Sequence, residues 1–182
     1  MKYKTDSELL TELKEPFTSN ELDWRVQFAD NGKDNKPYAS LVAYIDARAI
    51  QNRLDNVCGT GGWWNQPPQY SSSGKGVNQG ITIKLPEAGE ITKWDGADET
   101  AIEAVKGGLS SAFKRSAVLW GIGRYLYDIE IAYVNLQKDK PQSTEGWVRT
   151  KVKIGGRAEM YYFKKPTLPK EFLPKENINV AA

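Results

Sequence analysis

Between residues 98 and 120 the apolar side chains Ile102, Val105, Leu109, Phe113 and Trp120 recur at spacings near three and four. That repeat marks one face of an α-helix. Asp98 or Thr100 is the expected cap, and Asp98, Glu99 and Glu103 suit the positive end of the helix. Gly121-Ile122-Gly123 closes it, and Arg124 to Tyr127 is expected to run on extended. A helix this long must bury its stripe against something, and the segments before it are mostly strand-like.

Leu22 to Phe28 alternates apolar and polar, Asn31-Gly32 signals a turn, and a second strand is expected over about 37–45. Asp46 caps a helix over about 47–57, with Ile50, Leu54 and Val57 inward. After the break at Gly59-Thr60-Gly61-Gly62, strands are expected at Trp63-Trp64, at 77–85 and at 90–94. A short helix over 6–14, capped by Asp6 or Ser7, precedes them all and ends at Pro16. The order predicts an α+β fold: an antiparallel sheet, made of a hairpin plus a three-stranded meander, packed with a long central helix. Beyond it lie a polar linker over 137–146, a hairpin over 147–163 around Gly155-Gly156, and a stretch broken by Pro166, Pro169 and Pro174. Residues 1–135 are therefore expected to form the core, and 136–182 a basic hairpin and Pro-rich extension.

The chain has no histidine and a single cysteine, Cys58. Ser-His-Asp and Cys-His mechanisms are excluded, and so is an intrachain disulfide. Ser71-Ser72-Ser73-Gly74-Lys75-Gly76 resembles a phosphate loop only superficially. Gln69 stands where the first glycine belongs, and Gly76 where Ser or Thr belongs. Gly121-Ile122-Gly123 follows a helix, so it is not a dinucleotide fingerprint. No cofactor is expected. Asp95, Asp98 and Glu103 offer carboxylates for a metal-dependent nuclease, but capping and dipole complementation account for acids at that place without a metal. No apolar run approaches the roughly 20 residues that span a bilayer, and the first residues lack a secretory apolar core. A cytoplasmic protein with no membrane partner is the expectation.

Charge is uneven. Residues 138–175 carry ten Lys or Arg against four acids, a net +6, which leaves −4 for the rest. Such a segment either contacts a polyanion or is a solvated tail, and charge alone does not choose. Arg48, Arg53, Lys106, Lys114, Arg115 and Arg124 sit on or beside predicted helices. Lys106, Ser110 and Lys114 share one face at i, i+4, i+8, with Arg115 beside them. Trp63, Trp64, Trp94, Tyr125 and Tyr127 lie near them in sequence. Single-strand binding needs cations that track phosphates and flat groups that stack on bases. Six tryptophans in so small a chain are expected to be mostly core. For Arg48, Lys114 and Arg115, composition leaves phosphate contact and solvated surface both open.

Two blocks carry a resemblance. The first is Val42 to Ile50, Leu54-Asp55 and Gly62-Trp63-Trp64. The second is Asp95-Gly96-Ala97, Thr100 to Gly108 and Ser111 to Val118, closed by Gly121 to Tyr127. Together they resemble the Rad-fifty-two family of recombination mediators, closest to its short bacteriophage annealing members, over roughly residues 8–130. The resemblance implies ATP-independent binding and annealing of single-stranded DNA in recombination and break repair, in a bacterial cytoplasm if phage-encoded. It also implies a homo-oligomer, ring or helical filament, with phosphates held in a basic groove and bases turned outward. Arg48 matches the family's arginine early in the helix after the hairpin. Lys114 and Arg115 match its Lys-Arg pair, and Lys106 a further basic position. Eukaryotic members have an aromatic residue where this chain has Thr60, and a further arginine where it has Val118. Arg124 is added to the expected DNA-binding set, and Lys151 and Lys153 enter it from the basic hairpin. A host single-strand-binding protein is a further possible partner. A protein that coats strands without annealing them is the alternative.

Overall fold

The computed structural model describes residues 5–72, 76–98 and 104–174, with residues 104–106 described by their backbone alone. The fold is α+β, and the sheets are built on antiparallel pairings. The chain forms two compact units, each built from two separate stretches. The first takes Met1–Phe17 and Ile45–Tyr125, the second Thr18–Tyr44 and Leu126–Ala182.

In the first unit, helix α1 spans Asp6–Lys14. Its cap is Thr5, not Asp6 or Ser7. The Thr5 side chain accepts from the Glu8 N–H, and the Glu8 carboxylate accepts from the Thr5 N–H, both at 3.2 Å, which closes a capping box. Asp6 is otherwise engaged, its carboxylate accepting from the Glu87 N–H at 2.8 Å. Helix α2 spans Ala47–Cys58, and Asp46 caps it by accepting from the Ala49 N–H at 2.8 Å. Ala49, Ile50, Leu54 and Val57 are its buried face.

Strands β3 (Trp63–Asn65), β4 (Gln69–Tyr70), β5 (Gly76–Leu85) and β6 (Gly89–Asp98) form one sheet. (β1 and β2 belong to the second unit.) The central strand β5 is flanked by β3 and β4 on one side and by β6 along its whole length on the other. Pairing of β6 runs past Trp94 to Asp98, which faces Gly76. Asp98 therefore ends a strand, while Thr100 and Glu103 lie outside the described residues. Helix α3, Ala104–Leu119, packs on β5 and β6. It buries Ala112, Phe113, Ser116 and Ala117, and Trp120 just beyond it is buried too.

The helix ends as glycine allows. Gly121 and Gly123 have φ of 90° and 66°, the left-handed region that a Cβ disfavours, and the Ile122 N–H returns to the Ala117 carbonyl at 3.1 Å. Residues Arg124–Asp128 then form a 3-10 turn, not the extended segment expected. The physical reason is local. The Arg124 guanidinium folds back on the helix end, and the Tyr125 hydroxyl accepts from the Phe17 N–H at 2.9 Å.

In the second unit, β1 (Leu22–Asn31), β2 (Pro37–Ile45) and β7 (Ala132–Asn135) form a sheet with β2 in the middle. Strand β7 was not foreseen. Strands β8 (Trp147–Ile154) and β9 (Arg157–Lys164) form the expected hairpin, turning at Gly155 and Gly156 with φ of 56° and 84°. Gln137 and Tyr162 exchange backbone hydrogen bonds of 3.0 and 2.8 Å. This continues β7 onto β9, and β8 packs against β1. Leu22, Trp24, Leu41, Leu136, Val152 and Phe163 are among the core. The expected boundary near residue 135 falls inside this unit. From Pro166 to Pro174 the backbone is irregular but for a short turn at Lys170–Phe172, and Leu168 is buried.

Candidate nucleic-acid interface

Helix α3 is keyed to its sheet by one side chain. The Ser116 hydroxyl is fully buried, accepts from the Asp95 N–H at 2.9 Å and donates to the Gln79 carbonyl. Gln79 and Asp95 are partners across β5 and β6, so a helix side chain bridges the ladder there. The Trp120 indole adds a hydrogen bond to the Ile81 carbonyl at 3.2 Å. The face away from the sheet is thereby held in a fixed orientation.

Lys114 and Arg115 stand on that outer side, about 100° apart around the helix axis. They take different flanks. Arg115 reaches toward β6, where its Nε lies 3.1 Å from Asp95 Oδ1. The Arg115 side chain stays 56% exposed, and an ion pair at such a surface contributes at most about 1 kcal/mol. A phosphate can therefore compete for this guanidinium at small cost. Lys114 is half-buried and engaged with its surroundings. Arg48 is exposed near the start of α2, a helix that packs on α3. The Lys106 side chain lies outside the described residues. Lys151 and Lys153 are exposed on β8 in the second unit.

Two other cations are structural. Arg53 donates to the carbonyls of Glu12, Glu15 and Pro16 and lies 4.2 Å over the Phe17 ring, closing the C-terminal end of α1. Arg124 donates to the carbonyls of Val118 and Leu119 at 2.6 and 3.0 Å. Lys93, which the sequence did not single out, shares the Leu119 carbonyl at 3.0 Å and sits 4.4 Å over the Trp120 ring. Burial lowers the Lys93 pKa, and the nearby Arg124 and Lys14 lower it further. This cation group satisfies the last carbonyls of α3 and its negative end. Arg124→Ala is expected to lower stability by about 1 kcal/mol, which a urea titration followed by circular dichroism checks. An unchanged midpoint would remove Arg124 from this capping role.

The tryptophans divide. The Trp63 indole donates to Asp55 at 2.7 Å, and its ring lies 6.3 Å from Phe113. Trp120 is buried. Trp94 is 37% exposed and covers Gly80, its partner across the ladder, where a Cβ would come within 2.7 Å of the ring. The carboxylates proposed for a nuclease are also placed. Asp95 and Asp98 lie three apart on one strand and so project to opposite faces, and Glu103 is outside the described residues. Cys58 ends α2 with its thiol pushed up to about 11, by burial first and then by Asp55, which keeps it protonated and a poor nucleophile at neutral pH.

Residues 6–145 match the model of the Rad52/22 family double-strand break repair proteins. The chain is 34% identical over 128 residues to the single-stranded DNA-binding protein DdrA of Deinococcus radiodurans, covering 68% of this chain and 56% of that protein. It is 32% identical over 143 residues to the protein of the same name from Deinococcus deserti, covering 75% of this chain and 66% of that one. The chain thus spans between about half and two thirds of the curated relatives it matches.

Proposed function

Because this chain belongs to the Rad52/22 family of double-strand break repair proteins, we propose that it binds single-stranded DNA and anneals complementary strands without a nucleotide cofactor. Its relatives named above are single-stranded DNA-binding proteins, which supports the first half. The observation that carries the reading is Arg115: a guanidinium on a helix keyed to its sheet, held by one weak ion pair and more than half exposed. Lys114 beside it, Arg48 on the neighbouring helix and Lys106 just over two turns earlier extend the proposed phosphate grip. Lys151 and Lys153, exposed on β8 of the second unit, are proposed as separate phosphate contacts, and Arg124 is left to its capping role.

Annealing requires no bond chemistry from the protein. Phosphate contacts hold a strand irrespective of sequence, and that affinity falls steeply with salt. Base edges left free then pair with a second strand, and stacking of about 1.4 kcal/mol per step drives the reaction. A ring or helical filament of copies multiplies weak contacts in series. An annealing assay tests the proposal. Complementary labelled strands mixed with the protein, without nucleotide, are expected to form duplex faster than protein-free strands. Binding without acceleration makes this a coating protein, and cleaved strands in the presence of magnesium make it a nuclease.

A further inference from the structure

The β8–β9 hairpin has two unlike faces. One turns Val148, Val152, Ile154 and Phe163 toward the core of the second unit, where the last three are buried. The other leaves Arg149, Lys151 and Lys153 exposed in a row. Across the ladder the same face carries Tyr162 opposite Arg149 and Met160 opposite Lys151. Met160 is 37% exposed and Tyr162 half-buried. No acid occupies this face. Glu159, the one carboxylate of the hairpin strands, belongs to the other face and is bound to Lys138 at 2.6 Å.

Residues two apart on an antiparallel strand repeat at about 6.8 Å. Stacked nucleotides rise about 3.4 Å along a strand, and an unstacked, stretched backbone approaches twice that. The row of cations is therefore in step with successive phosphates of an unstacked strand. The Tyr162 and Met160 side chains beside it provide flat and polarisable surface for its bases. Cations along a track with stackable side chains next to it are what sequence-tolerant single-strand binding requires.

We propose that this face is a second single-strand docking strip, with phosphates along Arg149, Lys151 and Lys153 and bases over Tyr162 and Met160. It rests on the single-strand-binding reading above, and it is separate from the grip of α3. The test uses the full chain and fluorescein-labelled oligo(dT), with anisotropy measured across a sodium chloride series. Replacing Arg149, Lys151 and Lys153 together by alanine is expected to lower the slope of log affinity against log salt by about 2, at roughly 0.7 per phosphate contact. Tyr162→Ala is expected to weaken binding roughly tenfold, the lower part of what loss of one stacked base costs. An equal charge change at the exposed Lys33, Lys36 and Lys170 is expected to leave the slope in place. If that control lowers the slope as much as the hairpin triple does, the effect is net charge and the strip is overturned. If the parent binds, the Lys114/Arg115 variant is weakened and the hairpin triple binds like the parent, the strip alone is overturned. If the parent does not bind oligo(dT), the underlying reading fails and the strip with it.

Discussion

Replacing Lys114 and Arg115 together by alanine is expected to weaken single-strand binding at least roughly tenfold at moderate salt, equally for all sequences, and to flatten its salt dependence by about 1.4. The loss grows further if copies of the chain act in series on one strand. The fold is expected to survive. Arg115 is largely exposed, and the Asp95 it leaves behind keeps the Gly96 N–H as a partner at 2.7 Å. The reciprocal change gives an effect of opposite sign. Asp95→Asn removes the anion that competes with phosphate for Arg115, so affinity at low salt is expected to rise. Anisotropy titrations of the parent, the double variant and Asp95→Asn check both. Equal affinity in all three, with unchanged circular dichroism, would remove this helix face from the interface.

Ser116→Ala is expected to destabilise the protein by about 2–4 kcal/mol. The substitution opens little space, but it strands a donor and an acceptor at once, the Asp95 N–H and the Gln79 carbonyl. Each buried polar group left without a partner costs about 1–3 kcal/mol. In a chain of this size the midpoint of thermal unfolding should fall by roughly 5–10 °C. Ser110→Ala, six residues earlier and only half-buried, serves as the control. It is expected to stay within about 0.5 kcal/mol of the parent. Parity between the two variants would mean that the hydroxyl bridge carries no weight.

Much of the architecture was legible because the signals were local. Asp46 caps α2 as its sequence position predicts, and the alternation in Leu22–Phe28 and Val77–Leu85 marks real strands. The α+β class and the family resemblance drawn from the two motif blocks both hold. The errors arose where a partner distant in sequence overrode a local signal. Asp95, Gly96 and Asp98 are poor strand formers, yet Gly76 to Gln79 across the ladder hold them extended. The Arg124 side chain is exposed, but its partners, two backbone carbonyls, have no sequence signature. Lys93 was hidden for the same reason. Of the expected DNA-binding residues, the sequence supplied the type and spacing. It did not show that Arg115 has a carboxylate neighbour on the next sheet strand, or that Arg149 joins Lys151 and Lys153 in a row free of acids.

The division of the chain bears on how the protein is made and how it can be cut. The backbone passes from one compact unit to the other after Phe17, after Tyr44 and after Tyr125. Neither unit is a contiguous stretch that can be excised and studied alone. Strands β1 and β2 leave the ribosome early, but the hairpin that shares their core is synthesised more than 100 residues later. The first unit has all its segments once Tyr125 has emerged, whereas the second must wait for its last strand. A truncation at residue 138 therefore does not trim a tail. It removes half of a folding unit and leaves Leu22 and Trp24 without Val152, Ile154 and Phe163, the residues that complete their core. Point substitutions on the outer face of the hairpin, not deletions, are the changes that can separate its proposed binding role from its structural one.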